Sequence, residues 1–288
     1  MRGPDFRMVA AFRRARRRAG QGLLVLALGL WLPAERLQAS DMAPQDLVTI
    51  PAGRMIVGDS EGEPDEAPPG EADVDSFKIM RFEVTTAQFA AFVAASGHVT
   101  DAEATGAGYV WDGRWRLLPG ATWLRPEGPE AAPAAASHPV VQVSAKDAAA
   151  FCAHHGLRLP SDREWEYAAR GSDGRRYPWG DEPPVQGAAA PANFGSLPCC
   201  AADDSDGYLR RAPVGRFPSG RSPFGLLDMA GNVWEWTSTR RPARPDRVIL
   251  RGGGWGNNPY CLRTSYRHDN PPDIGLNMVG FRCAGDPL

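Results

Sequence analysis

Residues 225–238 read GLLDMAGNVWEWTS. Asp228 and Glu235 bring hard carboxylate oxygens into one short turn, with Gly231 and Val233 between them. Trp234 and Trp236 flank Glu235 and are most simply core aromatics. Taken alone the stretch is a polar turn running into a core. Three other stretches are as distinctive. They are DAAAFCAHHGLRLPSDREWEYAARG at 147–171 with YPWGD at 177–181, WLRPEGP at 123–129, and LRGGGWGNNPYC at 250–261 followed by YRHDNPPD at 266–273 and VGFRCA at 279–284.

The composition around these motifs narrows the fold. The 288 residues include 32 Gly and 27 Pro, about a fifth of the chain, against roughly 12% in an average protein. The glycines have no three-residue period, which excludes a collagen-like chain, and 43% hydrophobic residues exclude a disordered one. Nine Trp amid so much Gly and Pro point to a core built partly from loops. A net charge of −2 argues against nucleic-acid binding.

That net charge averages two unlike parts. Seven arginines fall within the first 18 residues, and an apolar run of 11 residues, Gly22 to Leu32, follows. The run is too short for a bilayer, which takes about 20 residues. A basic start, a short apolar stretch and small residues at Ala39 and Ser40 read as a secretory signal over residues 1–39. An uncleaved N-terminal anchor is the alternative. Taking away that segment's eight arginines and two acids leaves 24 basic against 32 acidic residues, a net of −8. The folded part is thus expected to be acidic, periplasmic or secreted, without a stable membrane anchor after cleavage.

Residues 40–46 read as a linker and 47–285 as one α+β domain with little regular secondary structure. Leu47 to Gly53 reads as a short strand running into a turn, and Asp59 to Asp75, acidic and rich in Pro and Gly, as a loop. Three capping boxes announce helices: Thr85 with Gln88, Ser144 with Asp147, and Ser161 with Glu164, ended by Gly97, Gly156 and Gly171. Ala131 to Ala136 reads as a surface loop, and after Gly171 no long helical pattern remains.

Together the motifs resemble the sulfatase-modifying-factor family, that of formylglycine-generating enzyme, over about Leu47 to Ala284. The resemblance implies a mixed, loop-rich fold related to C-type lectins. It implies two structural calcium sites, one at Asp228, Gly231, Val233 and Glu235, the other at Asn193, Phe194, Asp206 and Tyr208, where side-chain and backbone oxygens suit Ca²⁺. It also implies a disulfide between Cys152 and Cys283, and groove-lining or structural roles for Arg267, Asn270, Asp273 and Arg282.

The chain departs from the family where the chemistry lies. Formylglycine-generating enzyme holds copper(I) with two cysteines five residues apart. Here Cys261 matches the second, and the position five before it is Gly256. With the gap placed differently, Pro259 takes the second position and neither cysteine survives. The family's Gly-Gly-Ser reads Gly252-Gly253-Gly254. One thiolate cannot by itself make the two-sulfur site that copper(I) favours. Cys199 or Cys200 could rebuild a soft metal site near Cys261, as could His138, His154, His155 or His268. For His154 and His155, at a helix end, a cationic capping role is the simpler expectation.

Three functions follow as expectations. The first is an accessory or binding protein without formylglycine-generating oxidase activity. Its partner would be a periplasmic metalloenzyme, copper nitrite reductase among them, whose NirV-type accessory protein is a similar domain of similar size. The second is a copper-dependent oxidase of a protein cysteine, with Cys261 as its catalytic residue. The third is a glycan- or ligand-binding module.

Overall fold

The structure, a computed structural model, describes residues 46–66, 68–196, 201 and 203–287. The expected signal segment, most of the linker, and Cys199 and Cys200 lie outside the described residues.

Chain order begins with four strands, β1 (Leu47–Ile50), β2 (Gly53–Val57), β3 (Gly70–Val74) and β4 (Phe77–Met80). Helices α1 (Thr86–Ser96) and α2 (Asp101–Thr105) follow, then a hairpin of β5 (Ala107–Trp111) and β6 (Trp115–Pro119). Next come α3 (Ala145–His154) and α4 (Asp162–Arg170). Strands β7 (Trp234–Arg241), β8 (Arg244–Arg251), β9 (His268–Asn270), β10 (Val279–Gly280) and β11 (Ala284–Gly285) complete the set.

The three expected capping boxes form at α1, α3 and α4, each with the Ser or Thr side chain and the N3 side chain bonded reciprocally. A fourth, Thr100 with Glu103, opens the five-residue α2. Its Thr-x-x-Glu signal stands in the sequence, but a helix of one turn has no apolar period to announce it.

The segment Asp59 to Asp75 is not loop throughout. Its second half pairs as β3 with β2, in register Gly53↔Val74 to Val57↔Gly70. The hairpin lies near the surface, so Glu71 and Asp73 sit on its exposed side and pair with Arg54. Charge therefore masked a strand whose pattern is polar on one face.

Two sheets organise the rest. One runs β1-β4-β11, all antiparallel. The other runs β10-β7-β8-β9, with β10 and β7 parallel. The core fills between helices and sheets. Phe89, Phe151 and Phe281 are fully buried and contact one another at 5.4–6.4 Å, each worth about 1.5–3 kcal/mol of burial. Trp236, also fully buried, donates its indole N–H to the Val143 carbonyl, which ties β7 to the start of α3.

Cys152 at the end of α3 is bonded to Cys283 just before β11. Closing a loop of that length contributes roughly 3–5 kcal/mol in the chain-entropy account. Both cysteines are fully buried.

Candidate functional site

Strand β8 ends at Arg251, and Gly252-Gly253-Gly254 carries the chain into a 3-10 turn, Pro259–Leu262, that holds Cys261. Asn258 caps this turn through its side chain. Asn257 closes the loop before it, accepting from Gly254 N at 2.9 Å and donating its own N–H back to Gly254 O at 2.8 Å. Cys261 is 5% exposed.

The glycines are required by close packing. Gly253 has φ +75°, and a Cβ there would lie 2.9 Å from Leu262 and 3.1 Å from the Cys261 carbonyl oxygen. A Cβ on Gly254 would lie 2.6 Å from Met278 Cγ and 3.4 Å from Trp234. The space in which the family's serine would project is occupied by the methionine side chain.

Gly256, five residues before Cys261, has no side chain to offer and packs backbone to backbone against Gly195, whose added Cβ would come 2.7 Å from the Gly256 carbonyl. Gly195 N donates to Asn257 O. Among the described residues a two-thiolate copper site therefore does not fit this turn.

The outer side of the turn is latched by the acidic segment. Arg263 stacks on Tyr260 with 4.1 Å between guanidinium and ring centre, bonds both Glu66 oxygens, and reaches Asp59. The Tyr260 hydroxyl donates to Glu63. Burial opposes the charge on Arg263, but Glu66 and Asp59 outweigh it and raise its pKa.

His154 sits in the last turn of α3, where a cation is favoured, and His155 is the residue that ends the helix. His155 packs its ring on Phe151 at 4.7 Å, and its Nε2 is buried without a hydrogen-bond partner. Burial, and His154 beside it, lower its pKa, so the imidazole sits neutral where a cation was expected. His138 is lowered by burial and by Arg211. His268 lies against Trp234 and is pushed down to about 4 by burial. Among the described residues no three His, Cys, Asp or Glu side chains are grouped so that they could hold a metal ion.

Arg267 bonds Asp162 and the Asp65 carbonyl. Asn270 is buried with Oδ1 unpartnered, whereas Asp273 is exposed. Arg282 is fully buried. It grips Glu235 through Nε and Nη2 and donates to the carbonyls of Met80, Arg81 and Leu227.

The two expected calcium sets differ in their surroundings. Asn193 Oδ1 and Asp206 Oδ2 are both buried without a donor. Desolvation raises Asp206, although the Tyr208 and Phe194 backbone amides pull the other way. Two unpartnered acceptor oxygens, with the Phe194 and Tyr208 carbonyls alongside in sequence, make a donor set that fits a hard cation. At the other set, both Glu235 oxygens are engaged by Arg282, and one also accepts from the Trp165 indole. Asp228, at φ +56°, accepts from Gly215 N. Its close acidic neighbour is Glu83, which the sequence reading passed over. A single acid inside the apolar run Phe82-Glu83-Val84 was the signal available.

Residues 34–287 match the sulfatase-modifying factor enzyme 1-like domain. The chain is 36% identical to the inactive C-alpha-formylglycine-generating enzyme 2 of Mus musculus, over 91% of this chain and 93% of that protein. It is 38% identical to the formylglycine-generating enzyme of Streptomyces coelicolor, over 83% and 88%. Among solved structures it is similar to PvdO from Pseudomonas aeruginosa, with TM-score 0.68, 27% identity, and coverage of 84% of this chain and 94% of that one. The fold, the ordered motifs and these matches agree, and the chain belongs to the sulfatase-modifying-factor, or formylglycine-generating-enzyme, family.

Proposed function

We propose that this chain is an exported accessory or binding protein that uses the formylglycine-generating scaffold without its two-thiolate copper chemistry. The observation that carries this reading is the pair of replacements around Cys261. Gly256 stands where the first thiolate belongs, and Met278 fills the space beside Gly254. Copper(I) held between two sulfurs needs both of them. A relative of similar identity bears the name of an inactive enzyme, which supports the reading. The partner we favour is a periplasmic metalloenzyme, with copper nitrite reductase first to be tried. The net charge of −8 beyond residue 39 suits a basic face on that partner.

The calcium reading belongs to the same proposal. Calcium at Asn193, Phe194, Asp206 and Tyr208, and a second ion at the Asp228 turn, would serve the fold rather than catalysis. A ligand bound only by the folded state raises its stability. A chelator is therefore expected to lower the melting temperature. An unchanged temperature with no calcium by elemental analysis would remove both sites.

A second reading is favoured by relatives of 35–38% identity named formylglycine-generating enzyme. In it, Cys261 with bound copper oxidises a substrate cysteine. One experiment separates the two. Purified protein, loaded with copper(I), is incubated with a Cys-x-Pro-x-Arg peptide under oxygen and assayed for aldehyde. No aldehyde is expected. Aldehyde that disappears in Cys261→Ala would overturn the accessory reading. Binding to copper nitrite reductase is checked by calorimetry at low salt, where absence of heat at micromolar concentrations rejects that partner.

A further inference from the structure

We infer that the tip of the β7–β8 hairpin, residues 240–247, is a docking surface for a carboxylate-rich segment of a partner protein. The inference rests on the accessory reading and names the surface such a protein would use.

The tip reads RRPARPDR, four arginines with one acid, Asp246, for a net of +3 in eight residues. Beyond residue 39 the chain carries −8, so without the tip that part would carry −11. Positive charge is thus gathered on one element of an acidic domain. A molecule with such a pole turns it toward an acidic face as it approaches. The backbone keeps the tip clear of its neighbours. Strand β9 pairs with β8 at Val248, Ile249 and Leu250, and β10 pairs with β7 at Trp234 and Glu235, so the tip runs past both. Pro242 and Pro245 have no N–H to offer an added strand, which leaves recognition to side chains. Arg240 and Arg244 are exposed there.

Behind this surface, guanidinium groups outnumber carboxylates. Asp269, with a side chain 3% exposed, faces Arg241 at 2.9 Å, Arg244 at 2.6 Å, and Arg247. One carboxylate does not neutralise three guanidinium groups. Arg241 reaches on to Asp65, whose carbonyl accepts from Arg267. Further in, Arg267 and Arg251 share Asp162, and Arg251 and Arg170 share Glu166. Six arginines meet four carboxylates along this row of pairs. Its inner end is closed, with Arg251 and Glu166 fully buried, and its outer end is Arg244.

The chain itself shows which chemistry fits. Asp65 belongs to the acidic segment that begins at Asp59, and its carboxylate is held by Arg241 at 2.5 Å. A partner's acidic segment would repeat that contact on Arg240 and Arg244. Arg240 donates to the Pro245 carbonyl at 2.9 Å, which holds its guanidinium at the tip. The planar fork of arginine matches a carboxylate at two points.

Fluorescence anisotropy of the full chain with a labelled hexaglutamate peptide tests this. The wild type is expected to bind the peptide at about 20 mM salt and to release it at about 500 mM, where exposed charges are screened. Arg240→Ala with Arg244→Ala should weaken binding at least tenfold. Arg114→Ala with Arg221→Ala, exposed arginines elsewhere, should leave it unchanged. If the first pair does not fold, Arg240→Glu, which leaves the partners of Asp269 in place, should show the loss alone. No peptide binding, or equal binding by the tip variants, would overturn the inference whatever the aldehyde assay gives. Aldehyde formation with tip-dependent peptide binding would remove the accessory reading and leave the surface in place. Tighter binding of a sulfated oligosaccharide of equal charge would overturn the assignment to a protein partner.

Discussion

Met278 lies so close to Gly254 that a single added carbon there would sit 2.6 Å from its Cγ and 3.1 Å from its Sδ. Restoring the family's serine at this position should therefore overpack a buried turn. Gly254→Ser is expected to cost about 1–3 kcal/mol, read by urea unfolding. Met278→Ala introduced beside it should recover part of that loss. If Gly254→Ser alone is neutral, the space is not filled as described.

Arg282 and Glu235 form a fully buried pair. Removing one member leaves the other charged and unpaired, at a cost of about 3–5 kcal/mol. Arg282→Met is expected to show that loss in chemical denaturation. Arg282→Lys should be nearly as damaging, because an ammonium cannot reproduce the fork onto Glu235 and the three carbonyls together.

His268 supplies a pH dependence. Burial holds its folded-state pKa at about 4, with Asp269 opposing and Arg247 and Arg241 adding to the shift. The unfolded imidazole titrates near ~6.5. Between those values the unfolded chain holds a proton that the folded chain does not. This contribution is thus complete above pH 6.5 and drains as pH falls toward 4. Glu83 and Asp228, raised by burial, act in the opposite sense. The measurement is therefore a difference. The stability lost between pH 7 and 4.5 should be smaller in His268→Phe than in the wild type, and an equal loss in both would contradict the assignment.

Asp162 gives a second acid-sensitive contact. Burial alone would raise its carboxyl, but Arg251 and Arg267 together hold it below the usual range. Its stabilisation is present above the unfolded value near ~3.9 and is lost as pH falls below that. Asp162→Asn should be less stable than the wild type at pH 6, with the gap narrowing at pH 2.5, as followed by circular dichroism.

Much of this architecture is legible before any coordinates. The capping boxes at Thr85, Ser144 and Ser161 are local chemistry, since the side chain that signals the helix is the one that makes its bond. The hairpin of Trp111 and Trp115 around Asp112-Gly113 was equally local and was passed over, although Asp-Gly between aromatic residues is a strong turn signal. Strand β3 was hidden for a different reason. Its charged residues face water on a hairpin, so neither apolar content nor period marked it. Around the site, sequence spacing singles out Cys261 and Gly256, because both lie in one short loop after β8. It does not reach Met278 or Glu83, which come to Gly254 and Asp228 from distant parts of the chain. Contacts of that kind are set by packing and leave no periodic trace.

The sheet β1-β4-β11 and the Cys152–Cys283 bond share a consequence for synthesis. The residues that complete both, 283–285, lie 131 or more residues beyond Cys152 and follow every other strand and helix described. During translation β4 keeps one edge open and Cys152 stays a thiol until those residues emerge. A chain stalled or cut before Cys283 would present a bare strand edge and an unmatched cysteine, the two groups most prone to joining another molecule. The fold is thus a late-closing one, and a truncated product should be recognised by mixed disulfides and aggregation rather than by a smaller native domain.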